Sequence, residues 1–217
     1  MLAEMLSRRW NKKFSLVDIG GGIGIPYFEG EQALDISALK ALLSPLVKEF
    51  TANYPDIRLI LESGRYLVAN AGMLICRVKV VKQSRGETFL ITDGGTNCHL
   101  AAVGIGSFVK RNFPIASCKP VSQLETKTKK YTITGPLCTP YDFIGKNVEL
   151  PLMQVEDLIA VKASGAYGPS ASPVYFLSHG YPAEVLIDDE KIHLIRERDT
   201  TVDLLSKQKL IISGELP

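Results

Sequence analysis

The sequence predicts an α/β segment over residues 1–70 followed by an all-β domain over residues 71–217. Two observations predict this division. Residues 1–65 alternate helix, strand, helix, strand, the order that yields parallel strand pairing. After about Val68 the chain becomes a series of short alternating or β-branched runs punctuated by Gly, Pro, Asn and Ser, the pattern of an all-β domain.

Residues 1–10 read as a helix because Leu2, Met5, Leu6 and Trp10 fall on one face. Phe14 to Ile19 is a short apolar run halted by Gly20, Gly21 and Gly22, which fits a buried parallel strand. Asp35 caps a long helix from about Ile36 to Asn53, with apolar positions at Leu39, Leu42, Leu43, Leu46, Val47 and Phe50. Tyr54-Pro55-Asp56 ends it, and Ile57 to Leu61 is a second buried strand. Two parallel strands leave open edges and uncovered apolar faces, so either something else completes this layer or it packs in an unusual way. Met73 to Val81, Thr88 to Thr92, Tyr131 to Thr134, Leu158 to Lys162 and Glu184 to Ile187 read as strands of the second domain. A last helix follows the cap at Asp199-Thr200-Thr201 through Val202, Leu204 and Leu205.

The composition excludes several classes of function. Of the 217 residues, 46% are hydrophobic and 22% charged, which is ordinary for a globular chain. A net charge of +2 gives no electrostatic case for nucleic acid or an anionic membrane. Lys127, Lys129 and Lys130 cluster without interleaved aromatic residues and read as a solvated turn. No apolar run reaches the roughly 18 residues needed to span a bilayer, and Glu4 in the first turn argues against a signal peptide. Cys76, Cys98, Cys118 and Cys138 are widely spaced with no CxxC pair, so no metal site is expected and free thiols in a reducing cytoplasm are.

Four stretches carry chemistry. Asp18-Ile19-Gly20-Gly21-Gly22 ends the first strand, where glycine lets backbone N–H groups approach a phosphate, though a tight strand exit alone explains it equally well. Glu62-Ser63-Gly64-Arg65 ends the second, placing a carboxylate and a guanidinium where α/β layers build sites. Gly135-Pro136-Leu137-Cys138-Thr139-Pro140-Tyr141-Asp142 sets a cysteine on a shaped turn; alone, such a cysteine is more often a small packed hydrophobe. Gly165-Ala166-Tyr167-Gly168 sets a tyrosine where its hydroxyl reaches a ligand or a core partner.

Taken in order, these stretches resemble the fold-type III decarboxylases dependent on pyridoxal phosphate (PLP), which include diaminopimelate, ornithine and arginine decarboxylases. The resemblance runs from about Phe14 to Ile195. Gly20, Gly21 and Gly22 match the family's glycine triplet, and Glu62, Gly64 and Arg65 its E-P-G-R element with Ser63 for proline. Gly135, Pro136 and Cys138 match G-P-x-C, Gly165, Ala166 and Tyr167 match G-A-Y, and Asp93-Gly94-Gly95 matches its D-G strand end. The resemblance implies the last strands of a PLP-binding (β/α)8 barrel followed by a sandwich- or barrel-like β-domain. It implies that Gly20, Gly21, Gly22, Gly64, Arg65 and Tyr167 serve the cofactor phosphate and that Glu62 pairs with the pyridinium nitrogen. It further implies that Cys138 and Asp142 are the catalytic residues, Cys138 returning a proton to the substrate after CO2 is lost, that Asp93 and Thr139 face the substrate, and that the active unit is a homodimer.

Two departures qualify this expectation. None of the lysines sits in the Y-A-x-K-A context that anchors the cofactor in the family, so the chain is expected to be a C-terminal part that is inactive alone. Thr139 also stands where decarboxylases of diamino acids place an acidic residue against the distal ammonium. Leaving that ammonium unpaired in a closed site costs several kcal/mol, so the expected substrate is a carrier-linked or conjugated amino acid. A non-catalytic homologue that binds and regulates a partner is the alternative, and an alanine-racemase-like enzyme a more distant one. The joint presence of Glu62, Arg65, Cys138 and Tyr167 favours the enzyme.

Overall fold

The computed structural model describes residues 2–28, 30–104, 111–120, 122 and 127–209. Two compact units are present, Met1–Ala71 and Gly72–Pro217.

The first unit contains α1 (Leu2–Trp10), β1 (Leu16–Asp18), α2 (Ile36–Asn53), β2 (Arg58–Ile60) and α3 (Gly64–Val68). Asp35 caps α2 as its sequence position predicts: its Oδ1 accepts from the N–H groups of Ser37 and Ala38 at 2.9 and 3.0 Å. The helix continues through Pro45, at the cost of one main-chain bond. β1 and β2 pair in parallel, with Val17 opposite Leu59. Neither is buried, contrary to the sequence expectation, because a two-stranded sheet has too few neighbours to cover both faces. Nor does α2 hold a buried residue, and Leu42 is 70% exposed.

The second unit is built on a six-stranded mixed sheet of β3 (Leu74–Ser84), β4 (Glu87–Thr92), β5 (Ile115–Ser117), β6 (Thr128–Thr134), β7 (Phe143–Pro151) and β8 (Leu158–Val161), in the order β5-β8-β3-β4-β6-β7. β3 and β4 form a hairpin about Arg85-Gly86, both at positive φ (50° and 83°), the backbone that matches the right-handed strand twist. β4 and β6 pair in parallel; the remaining pairs are antiparallel. The lysine cluster is not a turn. Lys129 and Lys130 lie on β6, Lys130 exposed and opposite Glu149 in the register, Lys129 half-buried on the other face.

The sheet curls until its two edge strands meet, giving a nearly closed barrel. Asn112, just before β5, fastens the seam. Its Nδ2 donates to the carbonyl of Lys146 at 2.7 Å and its Oδ1 accepts from the Lys146 N–H at 2.9 Å, as a neighbouring strand would. Inside lie Val78, Leu90, Ile133, Ile144, Ile159 and Val161, each no more than 1% exposed. Burying each such side chain is worth about 1.5–3 kcal/mol, which makes this interior the chief source of stability. Outside the barrel, β9 (Glu184–Asp188) and β10 (Lys191–Arg196) form a separate antiparallel hairpin. α4 (Leu100–Val103) follows β4, and α5 (Thr201–Leu205) carries a capping box between Thr200 and Asp203. No helix among the described residues is long and apolar enough to cross a membrane.

One buried side chain is anomalous. His99 is 1% exposed, rests edge-on against Phe113 at 5.4 Å, and has no hydrogen bond of good geometry at either ring nitrogen. Burial lowers its pKa to about 4, although proximity to the Tyr167 backbone opposes the shift.

Two outcomes follow for stability. Asn112→Ala should lower the urea unfolding free energy by about 1 kcal/mol, since the two Lys146 groups turn to water instead. Between about pH 6.5 and 4 the unfolded chain holds a proton on His99 that the folded chain refuses. Stability should therefore be full above that window and fall with pH through it, by about 3 kcal/mol in all. Urea titrations at a series of pH values, with His99→Phe beside the wild type, check this: the variant should lack that part of the acid loss, and an unchanged acid loss would refute it.

Candidate active site

In the first unit, the two strand exits run side by side. The ladder continues past the strands through Ile19 N–H to Ile60 O at 3.1 Å and Glu62 N–H to Gly20 O at 2.8 Å. This brings Gly20, Gly21, Gly22, Glu62, Gly64 and Arg65 together. A Cβ on Gly21 would overlap the Glu62 carbonyl, while Gly20 and Gly22 have φ of +75° and +92°, so the triplet is required by both space and backbone. The Gly20 N–H is taken by Asp18 Oδ1 at 2.7 Å. No hydrogen bond within the described residues takes up the N–H groups of Gly21 or Gly22. The Arg65 guanidinium stands 5.6 Å from the centre of the Tyr27 ring. Open backbone donors, a cation and an exposed carboxylate form a donor set that fits a phosphate joined to a protonated heteroaromatic ring, which is what PLP presents.

An open cleft of about 270 Å³ lies at the other ends of these strands, lined by Lys13, Phe14, Val17, Phe50, Tyr54 and Ile57 among others. It is not the expected site, because chemistry in parallel α/β layers gathers at the carboxyl ends of the strands.

In the second unit, Cys138 is exposed on the turn between β6 and β7. Asp142, expected beside it as a reacting group, is 3% exposed and faces inward. Its Oδ1 accepts from the N–H and hydroxyl of Thr96, both at 2.7 Å, and its Oδ2 from the Leu137 N–H at 2.8 Å. Gly95 and Gly135 flank this carboxylate; a Cβ on Gly95 would come within 2.6 Å of the Gly135 Cα. Thr139 is half-buried and its carbonyl accepts from the Asp142 N–H at 3.2 Å. Asp93 is exposed, and it acts as a ladder residue: its Oδ1 accepts from the Arg77 N–H at 2.8 Å and its own N–H donates to Arg77 O at 3.0 Å.

Tyr167 is 51% exposed at φ 56°, an unfavourable backbone for a bulky residue. Its turn is anchored by close approach, since a Cβ on Gly72 would lie 2.5 Å from the Gly165 Cα. The other thiols differ from Cys138. Burial, then the neighbouring Cys98, pushes the Cys76 thiol far up, and burial also raises Cys98 and Cys118.

Sequence reading passed over Thr96, Asn97 and His99. Asn97, 2% exposed, accepts from the Gly95 N–H at 3.1 Å. The available signal was a Gly-Gly-Thr-Asn run, whose short side chains bond to nearby backbone. Nothing local marks His99, whose burial depends on Phe113 and the Tyr167 turn.

The chain is similar to known proteins over most of its length. Residues 14–165 match the family described as pyridoxal-dependent decarboxylase, C-terminal sheet domain. The chain is 39% identical over 210 residues to a decarboxylase of the L-glutamyl form of the BtrI acyl-carrier protein from Niallia circulans, covering 95% of this chain and 49% of that one. It is 34% identical to a diaminopimelate decarboxylase of Haemophilus influenzae, over 90% of this chain and 44% of the relative. A crystal structure of diaminopimelate decarboxylase from M. jannaschii in complex with L-lysine superposes with a TM-score of 0.80 at 29% identity, over 95% of this chain and 45% of that one. The chain thus spans about half the length of the curated relatives it matches. With the sheet domain, the pinned cysteine turn and the glycine-rich strand exit all in place, the chain belongs to the pyridoxal-dependent decarboxylases.

Proposed function

We propose that this chain is the C-terminal part of a PLP-dependent amino-acid decarboxylase whose substrate is not a simple diamino acid, and that it releases no CO2 alone. The observation that carries the reading is an exposed Cys138 on a turn fastened from within, in a chain whose residues 14–165 match the decarboxylase sheet domain. When bound, PLP supplies the electron sink for the bond broken at the substrate Cα. The N–H groups of Gly21 and Gly22 and the Arg65 guanidinium would hold its phosphate. Glu62 keeps the ring nitrogen protonated. The Cys138 thiol delivers the proton that replaces CO2 at Cα. Its turn is open to solvent, consistent with a working unit of two copies.

The substrate reading rests on Thr139. A neutral, half-buried side chain after the cysteine gives no countercharge to a distal ammonium, and an unpaired one would cost several kcal/mol. A substrate whose far end is amide- or thioester-linked needs no such charge. The relative that is 39% identical acts on a carrier-protein-linked glutamyl group.

The test joins this chain to a barrel segment that carries the cofactor lysine and measures CO2 release from free and carrier-linked amino acids. The joined protein should prefer the carrier-linked substrate, and Cys138→Ala should lower kcat by about 100-fold or more. The chain alone should release nothing. Turnover by the chain alone, or an unaffected kcat in Cys138→Ala, would overturn the proposal.

A further inference from the structure

Asp142 has the makings of a reacting group in sequence, four residues after Cys138, yet its carboxylate is turned inward and spent on three donors. Those donors come from two separate segments. Thr96 belongs to the loop that leaves β4, and Leu137 immediately precedes Cys138. The main chain of Asp142 adds two bonds, accepting from the Gly135 N–H at 3.0 Å and donating to Thr139 O at 3.2 Å. Residues 138–141 are therefore a short excursion whose two ends are gripped by one residue, and Cys138, Pro140 and Tyr141 on it are exposed.

We propose that Asp142 is a positioning residue: it fixes the direction of the Cys138 thiol by clamping Leu137 to the Thr96 loop, and takes no part in proton transfer itself. The proposal rests on the reading of Cys138 as the proton donor. Three features support it. The carboxylate is 3% exposed, so it is out of reach of a substrate at the open face of the turn. Its bonds to Thr96 and Leu137, 2.7 to 2.8 Å long, have the lengths of charge-assisted bonds. Gly95 and Gly135 leave it no room to swing, because the two glycines almost touch on either side of it. The same loop reaches the Tyr167 turn: the Leu100 N–H donates to Ser172 Oγ at 2.9 Å, and Ser172 Oγ donates to Gly168 O at 2.8 Å. Asp142 thus clamps the cysteine turn to the loop whose other end holds the tyrosine turn.

The experiment uses the 217-residue chain and needs no turnover. Iodoacetamide labelling resolved by peptide mass spectrometry gives the rate at Cys138 relative to Cys118, an exposed thiol of the same unit, while Cys76 and Cys98 are buried. Amide exchange reports the Leu137 N–H directly. Thr96→Val removes one donor to the carboxylate, and Thr96→Ser retains it. Asp142→Asn sets an NH2 group against the Leu137 N–H, or against the Thr96 donors if the amide is turned. Thr96→Val should speed Leu137 exchange about tenfold, equal to about 1.4 kcal/mol. It should also raise the Cys138-to-Cys118 labelling ratio, and Thr96→Ser should restore both. Asp142→Asn should exceed the effect of Thr96→Val; if it does not fold, the valine and serine pair decides alone. An unchanged exchange rate and labelling ratio in Thr96→Val, or equal changes in the valine and serine variants, would overturn the clamp. Neither outcome bears on the identity of the proton donor, which the kcat of Cys138→Ala tests separately.

Discussion

A carboxylate with almost no contact with water joins the β4 and β6 exits of the β-domain. Asp142 gathers donors from the β4 exit and the β6 exit, and its neighbours at 95 and 135 are glycines because its oxygens occupy the space a side chain would need. Burying an ionised group is favourable only when its hydrogen-bonding capacity is met, and here two Thr96 groups and one main-chain amide meet it. The same requirement couples the two loops. Displace one and the buried carboxylate keeps only part of its donor set, so each loop holds better with the other in place. The exposed Cys138 stands on the turn that this carboxylate supports.

The two units obtain their stability differently. The barrel buries a set of aliphatic side chains and joins its edges through a side-chain amide that meets the N–H and carbonyl of Lys146. The N-terminal unit has no comparable interior. Its helix α2 presents Leu42 and Leu46 to solvent at 70% and 61% exposure, and its sheet has two strands. Local signals that do not require a core still succeed there. The Asp35 cap forms, and the parallel register of Val17 with Leu59 is kept. Helical periodicity and capping thus specify local structure ahead of, and separately from, the burial that stabilises it.

Chemistry is likewise divided among residues by environment. Four cysteines share one chain, but two are buried and driven away from ionisation, and the one on the open turn is Cys138. Three of the carboxylates singled out in the sequence have separate environments. Glu62 stays exposed beside the glycine run, Asp93 completes a strand ladder, and Asp142 clamps two loops. Residue type alone would not separate these three, because each is an acid next to a glycine-rich or turn segment.

The sequence by itself determined the long capped helix, the parallel pair and the strands from Leu74 to Val161 that have strong β-branched runs. These are legible because side-chain periodicity and capping act over a few residues. It also determined the family, through glycines, a cysteine and a tyrosine in a fixed order. It did not reveal β7, β5 or β10, nor that Lys129 and Lys130 sit on a strand; β5 is three residues long, β7 and β10 interleave their apolar residues with charged and polar ones, and their partners across the sheet hold them in place. Only the tertiary structure decided that Asp142 faces inward, that Asn112 closes the barrel, and that His99 is buried without a good partner. Asp142 and Asn112 depend on groups 46 and 34 positions away, and His99 on Phe113 and the Tyr167 turn. No local pattern records such a contact, because the chain between its partners is free to vary.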